Sequence, residues 1–375
     1  MAKPRAKGTP SLASQVLKDY RKSHNLTQEQ LAYDLHLEPR TYRAYENGEY
    51  PLNNINELRR IADLLGIEPE RLGIASSPSL PRSPEEIETV ITHVWSLVEE
   101  SRIRESILTI ERLVQNVQAQ ITTQDPELLR LLARAHHTAG YVISEGTKAS
   151  DSLEAILHYQ QMASIARTIN DQTLLNIALT YEGDMYRRLK NITKAITYLE
   201  AARDTTPQAD RAARGNGIQL LGRAYLRSKN IAGFERAMAE AEELANTFDP
   251  AISSTHGHYN LGTVYEEYGR SYADMGQIQK ALEYLDRAKA NLPSTKFWEL
   301  LLKTAQATAL VKGGELESGV ELALETALEC QKTGAIRYLD RIYALEQYLA
   351  QKEQAIGRAR KPLHEVLYGE QVIEL

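Results

Sequence analysis

One pattern, written twice at identical offsets, limits the architectures open to this chain of 375 residues. Gly183-x-x-Tyr186 is followed by Ala195, Leu199, Ala202 and Pro207, and Gly269-x-x-Tyr272 by Ala281, Leu285, Ala288 and Pro293. Chance does not readily produce that. A looser copy begins at Gly222-x-x-Tyr225 with Phe234 and Ala241; Gly140, Ala155 and Tyr159 suggest one before these, with an inserted turn, and Ala307 to Ala327 one after. From Glu85 onward the text is helical, broken at intervals by Gly, Pro or Asn, and no stretch alternates like a strand. The fold class is therefore all-α, and most of the chain is a helical repeat.

The spacing resembles the tetratricopeptide repeat, in which small residues sit where helices A and B of each pair touch and a tyrosine fills the gap beside them. The resemblance implies a right-handed α-solenoid with a concave inner wall. Intervals of 43, 39 and 47 between the four glycines exceed the usual 34, so lengthened helices are expected, with helix pairs at Glu85–Ile121 and Arg337–Leu367 capping the stack. In such domains helix A lines the groove. Counting from the glycines puts Tyr141, Asp184, Arg223, Arg270 and Thr308 on one rung and His137, Thr180, Gln219, Glu266 and Thr304 on the next, with Asn216 a turn before Gln219. A polar wall of both signs could hold the backbone and charged ends of an extended peptide, Asn216 and Gln219 each offering an amide donor and acceptor. The same residues read equally as solvated or mutually paired groups of a scaffold.

The amino-terminal part points to a specific partner. In Leu26–Gly48, LTQEQLAYDLHLEPRTYRAYENG, Thr27 and Gln30 have the capping-box spacing, so a helix starts there with Leu31, Ala32 and Leu35 on its apolar face. His36–Leu37–Glu38 makes a short turn, Pro39 suits a first helical position, and Gly48 ends the second helix. Tyr42 and Tyr45 fall on one face of that helix, and Arg40, Thr41, Arg43 and Ala44 towards the other. Two short helices with a three-residue turn describe a helix-turn-helix, whose second helix enters the major groove of DNA. From about Ser14 to Gly73 the residues resemble the lambda-repressor-like (Xre) family, through Thr-Gln-Glu-x-Leu-Ala and Tyr-Glu-Asn-Gly. That resemblance makes Gln28 a phosphate contact and puts Pro39, Arg40, Thr41, Arg43 and Ala44 at the recognition positions. Arg40 and Arg43 are the candidates for bases, since a guanidinium can hold guanine O6 and N7 together, worth roughly 1–3 kcal/mol of discrimination. Two residues depart from the family. His36 stands where a turn glycine is usual, a position that often wants a left-handed backbone, and Glu38 stands where a neutral donor would face phosphate.

Around this core, Val16, Leu17 and Tyr20 mark a first helix at about Leu12–Ser23. Asn54 with Glu57 offers a second capping box for a fourth helix through Leu58, Ile61, Leu64 and Leu65 to Gly66, and Pro69–Leu72 is a last short turn. The expected domains are a disordered basic arm at 1–11, a five-helix DNA-binding head at 12–75, a Ser/Pro linker at 76–84 and the repeat domain at 85–375. The head carries 12 Lys+Arg against 10 Asp+Glu, counted to residue 84, and the remainder 32 against 40. The overall charge of −6 thus belongs to the repeats, and the weakly basic head binds tightly only as a dimer that doubles its phosphate contacts.

A repressor-type head followed by one repeat array resembles the cytoplasmic peptide-pheromone receptors, the Rgg, NprR, PlcR and PrgX group. The resemblance implies a homodimer on a pseudo-palindromic operator and a short linear peptide in the concave groove that changes the solenoid's angle. The alternative is a DNA-tethered scaffold whose repeats dock a protein, and a deep, closed groove would favour the effector over the scaffold.

No cofactor or metal is implied. The chain has no Gly-x-x-x-x-Gly-Lys-Ser/Thr, no HExxH and a single cysteine, Cys330, so no phosphate cradle, zinc helix or disulfide announces itself. His136–His137 and His256/His258 are spaced so that neither pair shares a helix face, and they read as ordinary surface or core histidines. No apolar run is long enough for a membrane span, and MAKPRAKGTPS lacks the apolar core of a signal peptide. A regulator, not an enzyme, is the expectation.

Overall fold

The computed structural model describes residues 11–50, 52, 54–67, 69–73, 81, 83–121, 125–250 and 253–369. All of the expected basic arm but Ser11, and most of the expected linker, lie outside these residues. Every regular element among them is helical, seventeen α-helices and two short 3-10 turns, in two compact units, residues 1–80 and 81–375.

The first unit contains α1 (Leu12–Ser23), α2 (Gln28–Asp34), α3 (Pro39–Glu46), α4 (Ile55–Leu65) and a 3-10 turn at Pro69–Leu72. Local chemistry sets these boundaries. The Thr27 hydroxyl accepts from the Gln30 amide at 3.1 Å while the Gln30 carbonyl accepts from the Thr27 amide at 2.8 Å, closing the capping box. His36 does adopt the left-handed backbone, φ 53°, and Gly48 turns the chain out of α3 at φ 71°. Asn54 caps α4 by accepting from the Asn56 and Glu57 amides, but the reciprocal half of the second box is absent. The Glu57 carboxylate is instead held by Arg60, which also donates to the Leu35 carbonyl at 2.8 Å and so ties α4 to the end of α2. Leu17, Leu31, Ala32, Leu35, Tyr42 and Ile61 are fully buried where the four helices meet.

The second unit opens with α5 (Pro84–Glu99) and α6 (Ile103–Gln120), the expected first cap. Five hairpins follow: α7 (Pro126–Gly146) with α8 (Leu153–Thr168), α9 (Gln172–Arg188) with α10 (Ile192–Thr205), α11 (Arg211–Arg227) with α12 (Ile231–Ala245), α13 (Leu261–Asp274) with α14 (Ile278–Asn291), and α15 (Lys296–Gly313) with α16 (Leu316–Thr333). The repeated glycines lie where the two helices of a hairpin touch. A Cβ on Gly183 would stand 2.8 Å from Leu199, and one on Gly269 2.7 Å from Leu285, both closer than any real contact.

Two expectations about the array are corrected. The region Arg337–Leu367 is a single 33-residue helix, α17 (Ile336–Tyr368), because nothing breaks it before Pro362 and that proline is accommodated within the helix. The 47-residue interval between Gly222 and Gly269 is not helix lengthening, since α12 and α13 have 15 and 14 residues; the excess is the connection 246–260. The 43-residue interval does combine a 21-residue α7 with an inserted 3-10 turn, Ala149–Asp151.

The array also curls until its ends meet. Thr295 donates to Glu99 at 2.6 Å, Arg337 forms a salt bridge with the fully buried Glu145, and Asp340 accepts from the Ala149 amide at 3.2 Å. The first hairpins thereby close on α15 and α17 around the inner wall.

Candidate DNA-reading helix and effector groove

In the first unit α3 is fixed from behind. Tyr42 is buried in the core, and Glu46 is buried while accepting from two of the three Arg21 guanidinium nitrogens, Nε at 2.9 Å and Nη2 at 2.7 Å, which locks α1 to α3. Burial raises the Glu46 pKa, but hydrogen bonds from Arg21, Tyr42 and Gln28 overcome it and hold the carboxyl below its ordinary value. Outward, Arg40 is exposed and Pro39 and Thr41 are half-buried. Arg43 is exposed and pairs with Glu29 of α2 at 2.9 Å, a surface contact worth under about 1 kcal/mol that a base could displace. One expected recognition residue is withdrawn from the surface. Ala44 is buried, 6% exposed, so its methyl group is not presented on the outward face with Arg40 and Arg43. Gln28 is half-buried and its amide is engaged with Glu46 as well as lying at the start of α2.

In the second unit the inner wall is buried rather than open. Tyr141, Asp184, Asn216, Gln219, Arg223, Glu266 and Arg270, seven of the eleven expected groove residues, do converge on one cavity, joined by Arg337, Tyr338 and Arg341 of α17. The cavity measures about 70 Å³, room for a few waters. Its charges are paired: Arg223 forks Glu267, Arg187 holds Asp184 at 2.6 Å, Arg270 lies 3.6 Å from Glu266 and 3.5 Å from Glu267, and Arg341 lies 3.4 Å from Glu266. Burial raises the Glu266 pKa, more than Arg341 lowers it, whereas the neighbouring arginines outweigh burial at Asp184 and lower its pKa.

The other four expected groove residues lie elsewhere. Thr180 is buried against Gly217 and donates to Asn176, Thr308 donates to the Thr304 carbonyl of its own helix at 2.9 Å, and Thr304 likewise turns back to Leu300. His137 lines a separate cavity of about 260 Å³ with Arg134, Leu174, Ile177 and His256.

The histidines correct a further expectation. His256 and His258 lie not on a helix but in the connection 246–260, which carries both rings onto Trp95 of α5, His256 stacked at 4.5 Å and His258 at 4.8 Å. The His258 Nδ1 meets the Tyr141 hydroxyl at 2.9 Å, its Nε2 lies 3.4 Å from Glu99, and Phe297 and Trp298 flank the ring. Burial lowers the pKa of His258 to about 3 and of His256 to about 4, so both are neutral at pH 7. Sequence reasoning missed this plug and the α17 arginines. The one available signal was Arg337 and Arg341, four apart and therefore on one helix face beside Tyr338.

Fold and site together describe a helix-turn-helix head followed by tetratricopeptide-like repeats. Residues 15–73 match the family described as helix-turn-helix domain. No curated protein matches the chain. Among solved structures it is similar to Bacillus thuringiensis PlcR in complex with the peptide PapR7 and DNA, with 17% identity over 75% of this chain and 96% of that one, TM-score 0.39. It is also similar to a Rap protein complexed with competence and sporulation factor, 12% identical over 90% of this chain and 99% of that one, TM-score 0.48. ComR from S. thermophilus, in complex with DNA and its signalling peptide ComS, is 17% identical over 81% of this chain and all of its own, TM-score 0.34. Among the described residues no helix is long and apolar enough to cross a membrane, and no cluster of three metal-ligating side chains occurs.

Proposed function

We propose that this chain is a transcription regulator that binds a pseudo-palindromic operator as a homodimer and is switched by a short peptide held in the concave face of its repeats. The observation that carries the reading is the closed inner wall. A scaffold displays its docking surface, whereas here the polar rungs of α7, α9, α11, α13 and α17 are withdrawn from water and latched by bonds between the two ends of the array. A ligand reaching them must change the curvature, and it shifts the equilibrium by the difference in its affinity for the two curvatures. Base reading falls to Arg40 and Arg43, with Pro39 and Thr41 beside them and Gln28 positioning the phosphate.

The scaffold alternative has one observation of its own. Leu316, Val320, Leu324 and Leu328 form an exposed apolar stripe, 44–61% accessible, along the outer face of α16. The deciding experiment titrates the full chain onto the DNA upstream of its gene by fluorescence anisotropy at two salt concentrations, with and without peptides encoded by short neighbouring reading frames. A tenfold change in operator affinity, about 1.4 kcal/mol of coupling, supports the peptide switch. Steeply salt-dependent DNA binding that no peptide alters refutes it and leaves the scaffold.

A further inference from the structure

The centre of the repeat domain holds more positive than negative charge. Arg223, Arg270, Arg337 and Arg341 line the central cavity against Asp184, Glu266 and Glu267. Three more charges adjoin them: Arg187, which holds Asp184 at 2.6 Å, Arg188, which donates to the Ser144 carbonyl, and the carboxylate of Glu145, which Arg337 holds. Six guanidinium groups therefore face four carboxylates, an excess of two charges in a region where all ten residues are largely withdrawn from water. The next carboxylate outward, Glu99, does not line the cavity and is bound to Thr295 at its edge. Arginine stays protonated in any protein environment, so the excess cannot be relieved by losing protons.

The crowding is felt within the cluster. Burial first, and then Arg337 and Arg223, disfavour the charge on Arg341, and burial and Arg337 that on Arg188, whereas Glu145 and Asp184 favour the charge on Arg337. The pairs that exist are also uneven. Arg223 and Glu267 form a tight fork, with the Arg223 Nε donating to Oε1 at 2.6 Å, but the contacts of Arg270 and Arg341 are 3.4–3.6 Å, longer than a charge-assisted hydrogen bond. The Arg270 Nη1 is buried with no hydrogen-bond acceptor, and Asn216, 5% exposed, has an amide nitrogen in the cavity wall that makes only a loose contact with the Tyr181 phenol. Buried, loosely satisfied guanidinium groups around a small polar space are suited to a planar oxyanion, which takes two parallel N–H donors at once.

We propose that this basic centre is a carboxylate-binding site, occupied by one carboxylate of the effector, either its C-terminal group or an Asp or Glu side chain. The proposal rests on the effector reading above and narrows it: the peptide is anchored by a negative charge, and the anchor joins α11, α13 and α17. The carboxylate accepts from Arg270 and Arg341 and from the Asn216 amide, and brings the cluster towards neutrality. A peptide lacking such a group would leave the arginines with their own loose pairs and have no reason to draw α17 inward.

Calorimetric unfolding of the full chain at pH 7 tests the site without any peptide, using succinate as probe and succinamide, equal in shape but uncharged, as control, at matched ionic strength. Succinate at a hundred times its dissociation constant should raise the melting temperature of the repeat transition by at least about 3 °C, and succinamide should not. Two variants supply the carboxylate from within. Asn216→Asp and Gln219→Glu, both in the cavity wall, should melt no lower than wild type, although adding a buried carboxylate ordinarily destabilises, and each should lose the succinate response. If succinate and succinamide act alike, or if both variants melt lower than wild type and still respond to succinate, the site is refuted.

A second arm separates this inference from the reading beneath it. The full chain is offered three heptapeptide pools: free-acid without Asp or Glu, amidated with them, and amidated without them. Enrichment from the first identifies a C-terminal anchor, from the second a side-chain anchor, and both support the site. Equal enrichment from the third pool overturns the carboxylate anchor while leaving a peptide receptor. An intact succinate response with no peptide effect on operator affinity upholds the anion site and removes the peptide switch.

Discussion

Replacing Glu46 by Gln should disable the DNA-binding head although it changes one atom and touches no base. The Glu46 side chain is 2% exposed and receives two nitrogens of Arg21, itself 18% exposed, at 2.9 and 2.7 Å. Breaking a buried pair costs about 3–5 kcal/mol because the surviving charge is stranded, and the partial exposure of Arg21 puts this pair near the lower end, about 3 kcal/mol. A unit of roughly 60 residues has about 3–9 kcal/mol in total, so the loss is a third of its stability or all of it. The effect should appear as faster hydrogen exchange in α1 and α3, and as an operator affinity that falls in proportion to the unfolded fraction. It should also remove an acid-sensitive component. Since the folded state holds the Glu46 pKa below its ordinary value, that part of the stability is present above about pH 4.5 and is lost as pH falls through the folded value. Glu29→Gln, which breaks an exposed pair, is the control. If Glu46→Gln costs no more than Glu29→Gln, within about 0.5 kcal/mol, the Arg21–Glu46 lock is not what holds α3 in place.

Three further outcomes are expected. Arg40→Ala should cost about 1–3 kcal/mol at one base position, while Gln28→Ala should weaken all operator variants alike; anisotropy across a set of such variants separates the two. Gly183→Ala and Gly269→Ala should each cost about 1–3 kcal/mol in denaturant titrations, because a methyl group would strike Leu199 or Leu285, whereas Gly357→Ala, in an exposed stretch of α17 with open space around it, should gain about 0.5–1 kcal/mol. His256 has its folded pKa lowered to about 4 by burial, so between pH 6.5 and 4 the unfolded chain takes up a proton that the folded one refuses, and the repeats lose stability as pH falls. His256→Phe, which keeps a ring on Trp95, should flatten that slope in melting temperature against pH.

What was legible in the sequence was local. The Thr27–Gln30 box, His36 in its left-handed turn, Pro39 and Gly48 each act through neighbours a few residues away, and the repeat glycines act on a partner about sixteen residues on, within one hairpin. The inner rungs were legible in part, because counting from a glycine places a side chain on a helix face. Whether that face is open is a different matter. It depends on curvature accumulated over five hairpins, and the contacts that close the array join residues 192 and 196 positions apart. No pattern in α7 announces that Glu145 will meet Arg337. The connection 246–260 has no periodicity to read, yet it delivers the two histidines that fill the space beside Trp95. Ala44 was not legible for a simpler reason: it stands two residues, about 200°, from Tyr42, so its burial does not follow from the apolar face of α3 and is set by the rest of the unit.

The bond between Thr295 and Glu99 is where closure of the array can be related to the head, because α5, which carries Glu99, is the first helix after the head in the chain. Thr295→Val keeps the shape of the side chain and removes one donor to a carboxylate. A hydrogen bond to a charged group is worth about 1.5 kcal/mol or more, so an equilibrium between closed and open curvatures would move about tenfold towards the open one. Glu99 lies in a place where burial raises its pKa, so without Thr295 it gains a proton more readily instead of holding a stranded charge, which keeps the perturbation local. On the proposed mechanism operator affinity should then shift, in the direction opposite to that of an effector which tightens the array, by up to the same tenfold. Amide exchange should quicken in α5 and at the start of α15 while α9 to α12 stay protected. If exchange in α5 quickens and operator affinity stays within twofold, the array opens without the head responding, and closure of the repeats is not the switch.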